Sequence, residues 1–340
     1  MKKCDNKILN LCIVIYCSDM AELSVIIPVH NAEMYLDRCI TVLRNQHLDD
    51  IEMIFVVNAS VDRSLQMCEA YAMEDKRVKV LNLEKGHPSI ARNAGIAAAS
   101  SEWVGFMDVD DTAEPEMYAD MMSLAEENKL DIVVCSFLKR YAYRKDRYPF
   151  KCDGSVKICS GEELMKMSFL EQITQSVWVL VCRKSLFDDV RFPEDRLFED
   201  TATTWKLMRN ASKGGYMAKA YYHYWRNPGS IVHTLDFHKC WSHAMADRER
   251  IEYINSRADY TEEERQRLGK RIMEFFYRYM VKMAKYARTD VERMHLEQLR
   301  RWASELPLNY PLRKRYARVA FLMKSHRRLW MILSRLSLLR

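Results

Sequence analysis

Three carboxylates, Asp108, Asp110 and Asp111, follow directly on a short apolar run in the stretch W-V-G-F-M-D-V-D-D-T-A-E-P at residues 103–115. Buried strands are apolar, and carboxylates are stable only where water, cations or hydrogen-bond donors reach them. An acid cluster at the point where a core strand surfaces is therefore a candidate site for a metal ion or a diphosphate. Turn and N-cap chemistry is the other reading, because Asp favours both positions. Arg92, in S-I-A-R-N, is the cation nearest to this cluster in interest, and its plain alternative is an exposed helix arginine.

The elements that must position these residues can be read from the hydrophobic pattern. Residues 23–29, 51–57, 78–83, 103–107 and 132–137 are apolar, β-rich runs, and each of the first four is followed by a polar turn and a helical period. After the first run, apolar residues at positions 35, 36, 39, 40 and 43 recur at helical spacing. Ser89 reads as the cap of an Ala-rich helix after the Gly86-His87-Pro88 turn, and Pro115 opens the helix after the acids. Near-continuously apolar strands alternating with single helices predict an α/β fold, Rossmann-like, with a mostly parallel sheet covered by helices on both faces. Right-handed crossovers then gather the loops after the strands along the carboxyl edge. His30-Asn31, residues 58–62, residues 84–89 and residues 108–111 thus share one rim.

Beyond residue 138 the alternation fails. A polar excursion leads to Ser160-Gly-Glu-Glu163, which fits a helix cap, then an apolar run at 177–182 and Phe198-Glu199-Asp200 before a further helix. From about residue 237 the pattern is helical nearly to the end. The expected organisation is an N-terminal extension over 1–21, an α/β domain over 22–235 with a break near 137/138, and a helical C-terminal region over 236–340.

Of 340 residues, 49% are hydrophobic and 29% charged, which describes a folded chain. Ten cysteines without a Cys-x-x-Cys pair point to reduced thiols in a cytoplasmic setting, and not to a disulfide framework or a zinc site. Residues 311–340 carry nine Lys or Arg and no acid, against a net charge of +6, so the rest of the chain is about −3. That basic tail interleaves Val319, Phe321, Leu322, Leu329, Trp330, Ile332 and Leu336 with its cations. It reads either as a helix packing its apolar side on the protein or as one lying on an anionic membrane, with Trp330 at the interface. It matches no nucleic-acid-binding motif, so no nucleic-acid partner is expected. No run approaches the roughly 18 to 20 apolar residues that span a bilayer. Residues 8–17, behind Lys2 and Lys3, superficially resemble a signal peptide. Asn10 interrupts them and no small-residue cleavage pattern follows, so the expectation is an extension, with Met20 as an alternative start.

The stretches L-S-V-I-I-P-V-H-N-A (23–32), G-H-P-S-I-A-R-N-A-G (86–95), G-F-M-D-V-D-D-T-A-E-P (105–115) and F-E-D (198–200), in this order and spacing, resemble a family 2 glycosyltransferase of the GT-A fold. The resemblance covers roughly residues 22–235. It implies inverting transfer of a sugar from a nucleotide-sugar donor, a UDP-sugar first, to a hydroxyl of a glycan or lipid-linked glycan acceptor in surface polysaccharide or glycoconjugate synthesis. It implies a divalent metal, Mn2+ or Mg2+, with Asp110 as the metal-side carboxylate and Asp108 near the metal or ribose. Asp200 matches the family's base, with dipole complementation of the next helix as the alternative for Glu199 and Asp200. Pro28, His30, Asn31, Asn58, Asp62 and Arg92 fall on the nucleotide side, and Arg226 and Ser230 match residues that meet the diphosphate. One departure stands out. Where the family has Asp-Asp-Gly-Ser-x-Asp, this chain has Val57-Asn58-Ala59-Ser60-Val61-Asp62, losing two carboxylates and a glycine. That departure motivates a second expectation, a non-catalytic, glycosyltransferase-like nucleotide-binding or scaffold protein. A metal-dependent nucleotidyltransferase would want a Gly-rich phosphate loop near the first strand, and none is present.

Overall fold

A computed structural model describes residues 21–226, 236–307, 309–336 and 338–339. The expectations for residues 1–19 and for Ser230 lie outside them. The chain divides into two compact units. The first takes residues 21–157, 177–191 and 215–225; the second takes 158–176, 192–214 and the chain from Arg226 onward.

In the first unit, β1 (Leu23–Val29), α1 (Glu33–Arg44), β2 (Ile51–Asn58), α2 (Ser64–Glu74), β3 (Val78–Leu83), α3 (Pro88–Ala98) and β4 (Trp103–Phe106) follow one another as strand, helix, strand. These four strands are parallel, in the order β3-β2-β1-β4. Every residue of β2 is buried, as expected for a strand covered on both faces. Its Glu52 is tolerated because Ser24, Lys79 and the amide and hydroxyl of Ser100 converge on it. Burial alone would raise its pKa, but these hydrogen bonds hold it below the usual carboxylate range. Helix α3 lies so close to β1 that a Cβ on Gly95 would stand 2.4 Å from Ile26 Cγ2. The cap of α3 is not Ser89: the His87 ring accepts from the Ser89 amide at 3.2 Å, and Pro88 takes the first turn, where its missing N–H costs nothing.

Past β4 the sheet becomes mixed. A two-residue strand β5 (Thr112–Ala113), which the sequence pattern does not reveal, precedes α4 (Met117–Asn128) and β6 (Ile132–Arg140). Then come β7 (Val156–Ser160), α5 (Gly161–Phe169), β8 (Leu180–Arg183), α6 (Glu199–Asn210) and the long β9 (Lys213–Trp225). The full path is β3-β2-β1-β4-β8-β6-β9-β5, with β7 also beside β9, making nine strands among the described residues. Strand β8 runs antiparallel to both β4 and β6, and β5 antiparallel to β9. Periodicity reveals strands but not their neighbours: β8 inserts antiparallel between β4 and β6, although β6 runs in the same direction as β4.

The second unit is helical apart from strand ends. Ser160 caps α5 through the Glu163 amide at 3.2 Å. Helices α7 (Phe237–Ser256) and α8 (Glu262–Tyr286) pack on each other, and α9 (Asp290–Ser304) opens with a full Thr289/Glu292 capping box. The tail forms α10 (Lys314–Ser325) and α11 (Arg327–Arg335). Of the two readings of the tail, Trp330 follows the packing one: it is 1% exposed, on the side of α11 that faces protein. No described helix is long and apolar enough to cross a membrane.

Candidate active site

The loops after β1, β2 and β3 are stitched into one rim. His30 Nδ1 lies 2.6 Å from the Asn58 carbonyl oxygen. Asn31, in left-handed conformation at φ 47°, donates its amide to Ser60 Oγ and accepts from the Val61 amide at 2.9 Å. Asp62 spends both carboxylate oxygens on helix starts, accepting from the Glu33 amide of α1 and the Ser64 amide of α2, each at 3.1 Å. Burial opposes its charge, and the hydrogen bonds together outweigh that and lower its pKa. Asn58 is almost fully buried, and its side-chain oxygen accepts from the His87 amide at 3.1 Å. It therefore fixes the loop that opens α3. Ala59, where the family pattern has glycine, sits at φ 51°. The backbone keeps the glycine conformation without the glycine. Pro28 is half-buried near the end of β1, in register with Val56.

The acid cluster is split by burial. Asp111 is fully buried and accepts from the Tyr222 hydroxyl and from the Trp225 amide, both at 2.8 Å. Burial, then the nearby charges of Asp108 and Asp110, push its pKa well above the carboxylate range. Asp111 is thus a structural tie between the acid turn and β9, and it does not cap a helix. The Tyr222 hydroxyl also receives the Asp108 amide at 3.1 Å, so one buried hydroxyl holds two points of the turn. Trp178 stacks on Tyr222 at 4.3 Å and meets Phe137 edge-on at 4.8 Å, so it is core support for this tyrosine. Asp108 and Asp110 keep solvent access, with the Asp108 side chain 32% exposed. Arg92, 4% exposed, reaches Asp108 Oδ1 at 2.9 Å. Arg38 of α1 donates to the Asp110 carbonyl and lies over the Trp225 ring at 5.3 Å.

Sequence reasoning missed Arg38, Tyr222 and Trp225 as organisers of the turn. Tyr222 and Trp225 lie more than a hundred residues from the acids they hold, and no local pattern marks such partners. Among the described residues, no three His, Cys, Asp or Glu side chains gather to hold an ion by themselves.

In the second unit, Asp200 is the second residue of α6 and half-buried. The residue that opens this helix, Phe198, has left-handed backbone at φ 57°, a conformation disfavoured for a bulky side chain. Helix α7 supplies the constraint that holds it. The Leu197 amide donates to Ser242 Oγ at 3.2 Å, and Arg196 pairs with Glu249, which also binds Lys206 at 2.9 Å. The Phe198 ring stacks on His243 at 3.6 Å, and His243 stacks on Tyr279 at 4.4 Å. Burial, with Arg250, Lys282 and Arg278 nearby, pushes the His243 pKa down to about 3, so the ring stays neutral in the stack. Arg226 directly follows β9 and is half-buried.

The profile of Glycosyl transferase family 2 matches residues 24–190. The Bacillus subtilis glycosyltransferase EpsJ, described as uncharacterized, is 34% identical over 214 residues, spanning 62% of each chain. GlyG, a glycosyltransferase of Streptococcus pneumoniae, is 30% identical over 238 residues, covering 67% of this chain and 78% of its own. Among solved structures, Staphylococcus aureus TarS 1-349 in complex with UDP-GlcNAc superposes with a TM-score of 0.68 at 20% identity, over 92% of this chain and 89% of that one. A mannosyltransferase from Pyrobaculum calidifontis, in complex with GDP-Man and Mn2+, has a TM-score of 0.53 at 13% identity, over 94% of this chain and 87% of that one. These superpositions establish the fold, a GT-A architecture with a helical C-terminal region. The order of the motifs, the sheet and the relatives agree: this chain belongs to glycosyltransferase family 2.

Proposed function

We propose that the protein is an inverting glycosyltransferase that moves a sugar from a nucleotide-sugar donor, a UDP-sugar first, to an acceptor hydroxyl in surface polysaccharide or glycoconjugate synthesis. The observation that carries this reading is the pairing of buried Arg92 with the half-exposed Asp108, beside Asp110, where a parallel strand ends. Ligands of open α/β sheets bind at that edge. A UDP-sugar is the first choice because the TarS structure holds UDP-GlcNAc. Its two negative phosphates call for positive charge beyond Arg92, whose guanidinium is paired with Asp108.

The donor set also fits Mn2+ or Mg2+. Such ions prefer hard oxygen ligands and are commonly held by one or two carboxylates plus substrate phosphates, without a full protein cage. Asp110 and Asp108 would hold the ion, which neutralises charge on the leaving diphosphate when bound. Asp111 is unsuited, being buried and committed to Tyr222 and Trp225. The Asp200 carboxylate takes the proton from the acceptor hydroxyl as its oxygen attacks the sugar opposite the leaving group. The constrained Phe198 turn fixes where that carboxylate starts. Arg226 serves the diphosphate, a task suited to its multi-donor fork. The acceptor is a glycan or lipid-linked glycan presented at the cytoplasmic face of a membrane, to which the basic tail brings the enzyme. GgaA, a minor teichoic acid biosynthesis protein of Bacillus subtilis, is 38% identical over 94 residues, which favours a surface polymer.

Purified protein incubated with Mn2+ and a panel of nucleotide sugars should release the nucleoside diphosphate from at least one of them. Asp110→Asn should lose that release and its metal-dependent nucleotide binding together. If no donor on the panel is turned over, and Asp110→Asn binds nucleotide as the wild type does, the reading fails.

A further inference from the structure

The tail turns only part of its apolar surface to the protein. Trp330 and Ser334 of α11, with Val319 and Met323 of α10, are each 1% exposed. Leu329, Ile332 and Leu336 point the other way, at 45%, 53% and 62% exposure. Their spacing of three and four residues places all three along one stripe of the helix. Phe321 of α10 is 59% exposed as well. Isolated exposed aliphatics are ordinary; an aligned set beside cations on the last helix is not.

The charged residues of α10 and α11 are all cations. Lys324, Arg328 and Arg335 are exposed and enter no ion pair among the described residues. The other tail cations are partly committed: Arg327 reaches Glu297 at 3.1 Å and Arg313 pairs with Glu274. No acidic residue follows Glu305 in the sequence. An aliphatic stripe flanked by uncommitted cations is the arrangement of a helix lying in a membrane surface, with aliphatics among acyl chains and cations at the headgroups. A second copy of this chain would bring like charges together on the same face, which disfavours self-association there.

We infer that Leu329, Ile332 and Leu336 form the insertion face of an anionic-membrane docking surface, with Lys324, Arg328 and Arg335 as its headgroup contacts. Trp330 takes no part in insertion; it anchors α11 to the protein and so presents the other face. The inference deepens the proposed function, on which it rests only for the choice of surface. Docking of this kind is reversible, since the stripe is short and the chain relies on both apolar and electrostatic contributions.

The test uses the full chain and flotation with vesicles of phosphatidylcholine, alone or mixed with phosphatidylglycerol, without any nucleotide sugar. Wild type should float with the mixed vesicles and not with phosphatidylcholine alone, and salt should release it. Replacing Leu329, Ile332 and Leu336 together by Ser should weaken binding at least about tenfold while circular dichroism and nucleotide binding stay unchanged. Arg328→Gln with Arg335→Gln should weaken it and reduce its salt dependence. Wild type that ignores anionic vesicles, or a triple-Ser variant that binds them equally well, overturns the inference. So does binding to a DNA oligonucleotide or polyglutamate that matches vesicle binding and is indifferent to the triple-Ser change. Vesicle binding without sugar transfer overturns the enzymatic reading and leaves docking in place; transfer without vesicle binding does the reverse.

Discussion

His243 gives the most quantitative prediction. It is clamped between Phe198 and Tyr279, with Arg250, Lys282 and Arg278 nearby, and its pKa is about 3 against 6.5 for an exposed imidazole. The folded pKa lies below the unfolded one, so between these values the unfolded chain binds the extra proton. Stability from this group is therefore complete above about pH 6.5 and is lost as the pH falls toward 3. At about pH 5, the linkage relation gives a loss of about 2 kcal/mol relative to pH 7.5, with roughly 1.4 kcal/mol for each further unit until the folded pKa is reached. Other groups titrate over the same range, so the informative quantity is a difference. His243→Phe keeps an aromatic ring in the stack and removes the proton site. Urea unfolding followed by tryptophan fluorescence, at about pH 7.5 and about pH 5, should show the wild type losing about 2 kcal/mol more than His243→Phe. Equal losses in the two proteins would refute the assignment of a buried neutral histidine. Because the same stack holds the Phe198 turn, His243→Ala should lower the rate of transfer more than it changes nucleotide binding.

Three further outcomes follow from the site. Ala59→Gly relieves a left-handed alanine, so it should raise stability by up to about 1 kcal/mol in denaturant titrations, Gly's greater unfolded-state freedom offsetting part of the gain. Tyr222→Phe removes the hydroxyl shared by Asp111 and the Asp108 amide, and should cost about 1–3 kcal/mol of stability together with weaker nucleotide binding. Asp200→Asn should lower sugar transfer about 10²- to 10⁴-fold, with nucleotide affinity measured by calorimetry close to that of the wild type.

Much of this protein is legible in its sequence. The strand-helix alternation to β4 follows from hydrophobic period and turn residues, which act over a few positions, and it alone places His30, Asn58, Arg92 and Asp108 at one sheet edge. The reversal of direction at β8 was not legible, because an apolar run carries no information about which neighbour it pairs with. Residue types alone showed three acids in four positions, and only the family resemblance ranked Asp110 and Asp108 above Asp111. The tertiary structure supplied the physical separation, by bringing Tyr222 and Trp225 from β9 onto Asp111 while leaving Asp108 and Asp110 near solvent. Trp330 and Leu329 are adjacent in the chain and both have large apolar side chains, yet one is buried and the other exposed. Local pattern fixes that the tail is an amphipathic helix; which stripe of it meets protein is decided by packing against elements far away in sequence. The Asn58-Ala59 departure shows the same division. The family resemblance marked it as a loss of carboxylates and glycine, whereas the fold shows Asn58 turned to holding the α3 loop and Ala59 held in the left-handed conformation by the rim around it.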